Sequence, residues 1–248
     1  YYGRKKVSEV KSLLEKHHKV VEKPNPLIES KEFVELDNEK NIVYFTDYDM
    51  VQSEITMMSK TSSYNKDLIP PARIFNEYFG SGLSSIVFQE IRESKALAYS
   101  ARSYFTSPWK LDESHYVQAY LGTQVDKLGD ATDALLELMN NMPEVEKQFE
   151  GAKVAALKKI ETSRTKRSSL FWNYLSAKEM GRDYDINKDI YPALQKITLQ
   201  DLSLFFDNNI KARDYTFTVL GNKELVDHDV LKDLGEYKEL TLEDIFGY

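Results

Sequence analysis

Two long side chains with polar tips, Arg92 and Tyr99, stand seven residues apart in "SSIVFQEIRESKALAYSARSYF", residues 84–105. A guanidinium can grip a carbonyl oxygen through several N–H donors, and a phenol can donate a hydrogen bond to an oxygen that is gaining negative charge. Together they could serve a passing peptide. Equally, Arg92 could complement a helix C-terminus and Tyr99 could fill an alternating strand. Other chemistry is sparse. The four histidines are His17, His18, His115 and His228, and none has a second His or a carboxylate at the spacing of HxxEH or HExxH. His17 and His18 beside Glu22 read as a solvated helix face, and His115, at the head of a strand, reads as structural. "GSGLSS" has two glycines, no following Lys and a helix ahead of it, so it fits neither the P-loop nor the dinucleotide fingerprint. It reads as a tight connection between helices. The basic run "KKIETSRTKR" could attract an acidic peptide or a polyanion, and its simpler reading is a solvated helix end. The chain has no cysteine, which excludes disulfides and thiolate zinc sites.

Positioning Arg92 and Tyr99 requires a helix that stops and a strand that starts at once. Ser84 or Ser85 can cap a helix whose Leu83, Val87 and Ile91 recur every four residues, with Arg92 in its last turn. A strand from Leu97 to Phe105 comes next. "HYVQAYLGT" alternates Val117, Ala119 and Leu121 against Tyr116, Gln118 and Tyr120, the period of a half-buried strand, and predicts a meander with its predecessor. Upstream, "PPARIFNEYFG" predicts a helix with Ile74, Phe75, Tyr78 and Phe79 on one face and Gly80 as its stop. "NIVYF" and "QSEITMMSK" predict two strands joined in a hairpin across "TDYDM".

Val7, Val10, Leu14 and Val21 predict a linker helix over residues 1–23, which the prolines of "KPNPL" end. The chain is thus organised as a linker helix and connector over 1–29 and one globular domain over 30–248. From Asp126 to about Asn209 the pattern is helical. One helix carries Leu128, Ala131, Leu135, Leu138 and Met142. A second starts at Pro143 and carries Val145, Phe149, Ala152, Ala156 and Ile160. "SSLFWNYLSAKEMG" makes a third, and Thr198 caps a shorter one. The chain closes with a strand "YTFTVLG", a short helix around Val230 and a strand "YKELTL". Strands in pairs with helices clustered between them predict an α+β fold, a sandwich of a mostly antiparallel sheet with helices packed on one face.

At 248 residues, with 42% hydrophobic and 29% charged residues, the composition is that of an ordinary folded protein. A net charge of -7 weighs against a nucleic-acid partner. No run approaches the ~20 apolar residues of a membrane span, and the N-terminus lacks the apolar core of a signal peptide. The first residue, Tyr1, points to a segment of a longer chain. The compartment stays open.

"NEYFGSGLSSIVFQEIRESKALAYSARSYF" resembles a stretch of the insulinase/pitrilysin family of zinc peptidases, the inverted zincins. There a Gly-containing turn, a Ser pair, an "LFQ-(E)-(I/L)-R" helix and a "GLAYS" strand occur in that order. With the strand and helix order from Ile42 to Gly221 the resemblance covers most of the chain, the C-terminal two thirds in pattern only. It implies tandem homologous halves, one carrying HxxEH and a downstream Glu, the other free of zinc ligands and closing over an extended peptide. An Arg and a Tyr seven residues apart in that second half reach the shared chamber. On this resemblance Arg92 would hold a substrate backbone carbonyl and Tyr99 would donate to the oxyanion. This chain would hold no cofactor, with zinc on an HxxEH-bearing partner half in the same polypeptide or another subunit, and alone it would be inactive. Two positions depart from the pattern. Ala96 stands where Gly usually precedes Leu-Ala-Tyr, and Ile86 stands where an Arg often follows the Ser pair. They leave the alternative of a non-catalytic structural or assembly module on the same fold, as in core subunits of respiratory complexes that resemble this family.

Overall fold

Alternation along each strand sorts the sheet into a covered and an uncovered face. In β2 (Gln52–Ser63), β3 (Ser100–Thr106) and β4 (Ser114–Gln124) the apolar residues recur at every second position and align across the ladder. Ala101, Leu121 and Ile55 form one continuous row that runs on through Val219 and Phe45. All are buried, and each large side chain so placed contributes ~1.5–3 kcal/mol. The helices pack on this side, for example Phe205 edge-on to Phe105 at 5.0 Å. The opposite face presents Tyr44, Thr56, Tyr116, Gln118, Tyr120 and Thr218, all half-buried or exposed. The computed structural model describes residues 1, 3–19, 21–29, 33–80 and 82–247. The expected boundary at residue 30 lies outside them.

The strand order is β3-β4-β2-β5-β1-β6, with β1 at Ile42–Asp47, β5 at Thr216–Gly221 and β6 at Glu236–Glu239. The pairs from β3 to β5 are antiparallel, and β1 is parallel to both β5 and β6. The fold is α+β with a mixed sheet, and the expected β3–β4 meander is present. The expected β1–β2 hairpin is not. β5 inserts between those strands, because Phe217 and Val219 are fully buried residues of an interior strand with neighbours on both sides. Residues 48–51 therefore cross two strand spacings, ~9.6 Å. On the way the Tyr48 N–H bonds the Gly221 carbonyl at 3.0 Å.

The first helix, α1 (Val7–His17), buries no residue and stops short of the expected residue 23. The helix α2 (Ile69–Phe75) continues through a wide turn over Asn76–Gly80. Gly80 does more than end it. A Cβ there would lie 1.8 Å from the Ser103 carbonyl oxygen, so glycine lets the helix touch the backbone of β3. Next come α3 (Leu128–Asn140) and α4 (Glu146–Thr162), which bury the expected Leu135, Phe149 and Ala156. Val145 lies ahead of α4. Then come α5 (Leu170–Glu179), α6 (Asn187–Lys196) and α7 (Leu199–Asn209), the last with Thr198 and Asp201 in a capping box. No sequence signal marked α6, because it buries only Ile190 and Leu194 and carries Pro192 inside. After β5 the chain forms α8 (His228–Leu234), β6 and α9 (Leu242–Phe246). The expected strand "YKELTL" thus splits, since Thr241 caps a helix with Asp244 instead of extending β6. Among the described residues no helix is long and apolar enough to cross a membrane.

Candidate functional site

Arg92 and Tyr99 meet because the chain reverses between them in a turn held at four points. Ser85, buried, starts the site helix. Its Oγ donates to the Gly82 carbonyl at 2.9 Å and its carbonyl accepts the Gln89 N–H at 3.0 Å. Over Phe88–Ser94 the helix widens to the i→i+5 pattern, seen in the Lys95 N–H bonding the Glu90 carbonyl at 3.1 Å. Ile91 anchors the inner side and is fully buried. Ala96 then takes the left-handed conformation, φ +49°, which ends the helix as glycine commonly does.

Four hydrogen bonds lock the reversal from Ala96 to Tyr99. The Leu97 N–H bonds back to the Ile91 carbonyl at 2.9 Å, and the Leu97 carbonyl accepts Thr123 Oγ1 at 2.6 Å. Lys127 Nζ donates to the Ala96 carbonyl at 3.0 Å, and the Tyr99 N–H joins the Gly122 carbonyl of β4 at 2.9 Å. The strand proper begins one residue later, at Ser100, and not at the expected Leu97.

Across this turn the Arg92 guanidinium carbon lies 5.5 Å from the centre of the Tyr99 ring and 4.8 Å from that of Phe88. Both separations fall within cation–π range. Glu93 sits 3.7 Å from Arg92 Nε. Tyr99 is 73% exposed, and among the described residues its hydroxyl has no hydrogen-bond partner. A half-exposed guanidinium and a free phenol, held side by side at the rim of the sheet, can donate to two oxygens of one bound chain. The pair was visible in the sequence. Its supports were only partly so: Phe88, one helical turn before Arg92, comes from i, i+4 spacing, whereas Thr123 and Lys127 arrive from beyond the turn, at the end of β4 and past it.

The other candidate groups are engaged elsewhere. His115 is fully buried, its Nδ1 3.1 Å from the Thr106 carbonyl and its Nε2 accepting the Asn65 N–H at 3.0 Å. These partners require a neutral ring with the proton on Nδ1, and burial pushes its pKa down. His228 places one ring nitrogen on the Tyr237 hydroxyl and the other on the Lys223 carbonyl. His17 and His18 are exposed at the end of α1. Among the described residues no three His, Cys, Asp or Glu side chains gather as metal ligands, so these side chains do not fit a zinc ion. In the basic run, Lys159 pairs with Glu77. Within "GSGLSS", residues 82–85 form the turn that leads into the site helix, with Gly82 at φ +96°.

The fold finds its match among known proteins. The model of the peptidase M16 inactive domain matches residues 1–154. The uncharacterized zinc protease YmxG of Bacillus subtilis (strain 168) is 28% identical over 102 residues, 38% of this chain and 24% of that protein. A peptidase M16 inactive domain from Pseudomonas fluorescens superposes with a TM-score of 0.62 at 15% identity, over 76% of this chain and 45% of the other. A protease from Helicobacter pylori gives 0.62 at 16% identity, over 87% of this chain and 53% of its own. The chain thus spans about a quarter of its curated relative and about half of these structural neighbours. A site helix that runs to Ser94, a reversal through Ala96 and a strand that begins at Ser100 are elements of a chain that belongs to the peptidase M16 inactive domain family.

Proposed function

We propose that this chain is the zinc-free, substrate-binding half of a zinc metalloendopeptidase. It closes over an extended peptide and supplies Arg92 and Tyr99 to a site whose zinc and general base reside on an HxxEH-bearing homologous half. The reading is carried by the Tyr99 hydroxyl. It is exposed and, among the described residues, has no hydrogen-bond partner, while its backbone is pinned to β4 and its ring lies beside Arg92. A phenol with a free donor and a fixed backbone supports a role toward a ligand oxygen. Arg92 would hold a backbone carbonyl of the substrate in ground and transition states alike. Tyr99 would donate to the oxyanion that develops on the scissile carbonyl, where one positioned donor is worth roughly 10² to 10³ in kcat.

The test is kinetic and uses the chain together with its HxxEH half. Tyr99→Phe keeps the ring and removes the donor, so kcat falls by roughly 10² to 10³ with KM little changed. Arg92→Ala raises KM more than Tyr99→Phe does. The chain alone does not cleave unstructured peptides. Parent-like kinetics in both variants would make the pair scaffold and favour a non-catalytic assembly module. So would a loss of activity that merely tracks a loss of melting temperature.

A further inference from the structure

Arg73 is a half-buried cation of α2 that forms no ion pair among the described residues. Its Nη1 donates to Asn187 Oδ1, at the start of α6, at 2.8 Å, and its other N–H groups have no hydrogen-bond partner there. Burial pulls its pKa down, and Asp185 opposes that shift from beyond ion-pair distance. Among the described residues only Ser53 Oγ and Arg182 Nε are side-chain atoms both buried and unpartnered, so the free N–H groups of Arg73 reach solvent.

They do so at a cleft of about 780 Å³, the size of a small-ligand site. Arg182 lines the same cleft. Its Nη1 is on the Tyr64 hydroxyl at 2.9 Å, and its buried Nε has no acceptor. A buried charged donor left unpaired is costly, and an anion in the cleft would offset that cost through its field. The walls are largely apolar. Trp109, on the β3–β4 connection, is 81% exposed, and Tyr174 belongs to α5, a helix that buries none of its residues. Met180 adds a flexible thioether between them and Arg182 along the cleft lining.

The donors narrow the ligand. With Nη1 on Asn187, Arg73 keeps its Nε and Nη2 edge, the pair that forks around a carboxylate. Asp183 and Asp185 also line the cleft, and Asp185 accepts the Asn187 N–H at 2.8 Å. These two carboxylates offset the two guanidiniums, so the cleft has no surplus charge for a multiply charged ion such as phosphate and suits a single carboxylate. The exposed rings suit an apolar body attached to it.

We propose that this cleft binds a monocarboxylate with an apolar or aromatic body, its carboxylate on Arg73 and its body against Trp109 and Tyr174. Peptide C-termini and free organic acids share that chemistry. The cleft takes its Ser107 and Trp109 from beyond the end of β3, whereas Tyr99 precedes the start of that strand, so the Arg92–Tyr99 pair has no part in it. The test titrates the chain with phenylpropionate, phenylpropionamide, acetate and the peptide acetyl-Gly-Gly-Phe, with calorimetry for Kd and fluorine NMR of a 5-fluorotryptophan-labelled chain for contact at Trp109. Phenylpropionate binds and shifts the Trp109 signal. The amide binds roughly 10- to 100-fold more weakly, since it gives up the charge-assisted bonds. Arg73→Gln loses affinity to a similar extent. Trp109→Ala, at an exposed position, weakens Kd roughly 2- to 10-fold with unchanged melting temperature and keeps the test decisive if Arg73→Gln fails to fold. Binding of the peptide at least as tight as that of phenylpropionate assigns the cleft to chain ends, and binding of phenylpropionate alone assigns it to free acids; either supports the site. Equal affinity for acid and amide would overturn the carboxylate contact. Acetate as tight as phenylpropionate would overturn the apolar body, and neither heat nor a Trp109 shift with any of the four would overturn the site.

Discussion

Ala96→Gly should make this protein more stable, and the gain can be worked out from the turn that holds Arg92 against Tyr99. At φ +49° the Ala96 Cβ crowds its own backbone, a cost of ~1–2 kcal/mol for an L-residue. The strain cannot relax by moving φ below zero. That would break the Lys127 contact to the Ala96 carbonyl and both hydrogen bonds of Leu97, each worth ~0.5–1.5 kcal/mol. Glycine removes the crowding but gives the unfolded chain more freedom, at ~0.4–1 kcal/mol. The difference leaves a gain of about 0.5–1 kcal/mol, or ~1–4 °C in Tm for a chain of this size. Ala96→Val should go the other way and lose at least ~1 kcal/mol, since a β-branched side chain is an outlier in this region. Urea melts at constant m-value read both shifts. If Ala96→Gly were no more stable than the parent and Ala96→Val were equally stable, the left-handed turn would be wrong, and with it the lock on the Arg92–Tyr99 stack.

Gly80→Ala should destabilise by ~1–3 kcal/mol in a thermal melt, because the new methyl meets the Ser103 carbonyl at 1.8 Å and must push the helix off β3; an unchanged Tm would refute the close contact. His115 is kept neutral with its pKa lowered first by burial, so as pH drops below its unfolded value of ~6.5 the unfolded chain binds the proton first. Stability should therefore fall from pH 7 downward and level off below the folded-state pKa. His115→Gln should flatten that slope in denaturant melts between pH 7 and 5, and an identical slope in both proteins would assign the acid sensitivity elsewhere. Elemental analysis of the chain purified without added metal should find no stoichiometric zinc. One equivalent that survives extensive dialysis would overturn the assignment of the metal to a partner half.

Much of the site was legible because its signals are local. A capped helix with Arg92 in its last turn, an alternating strand expected from Leu97 and observed from Ser100, and the spacing between them all lie within one short segment. Period-2 alternation in residues 115–123 and the apolar face of α3 likewise identified their elements without tertiary information, and the histidine spacing alone argued against a zinc motif. Ala96 was readable as a departure from a glycine position, but not as a residue that bears left-handed strain.

Other features are decided by contacts between distant residues. The apolar run 215–221 reads as a strand whichever neighbours it has; only in the packed sheet do Phe217 and Val219 come to separate β1 from β2. Thr123 and Lys127 hold the site turn because β4 brings them back beside it, and Asn76 closes the outer edge of β3 for the same reason. The exposure of α5 is the clearest case. "LFWNYL" predicts a helix with apolar surface, and its residues are the same whether that surface is covered or open, because hydrophobic burial depends on the neighbours that arrive and not on the order of residues along the chain.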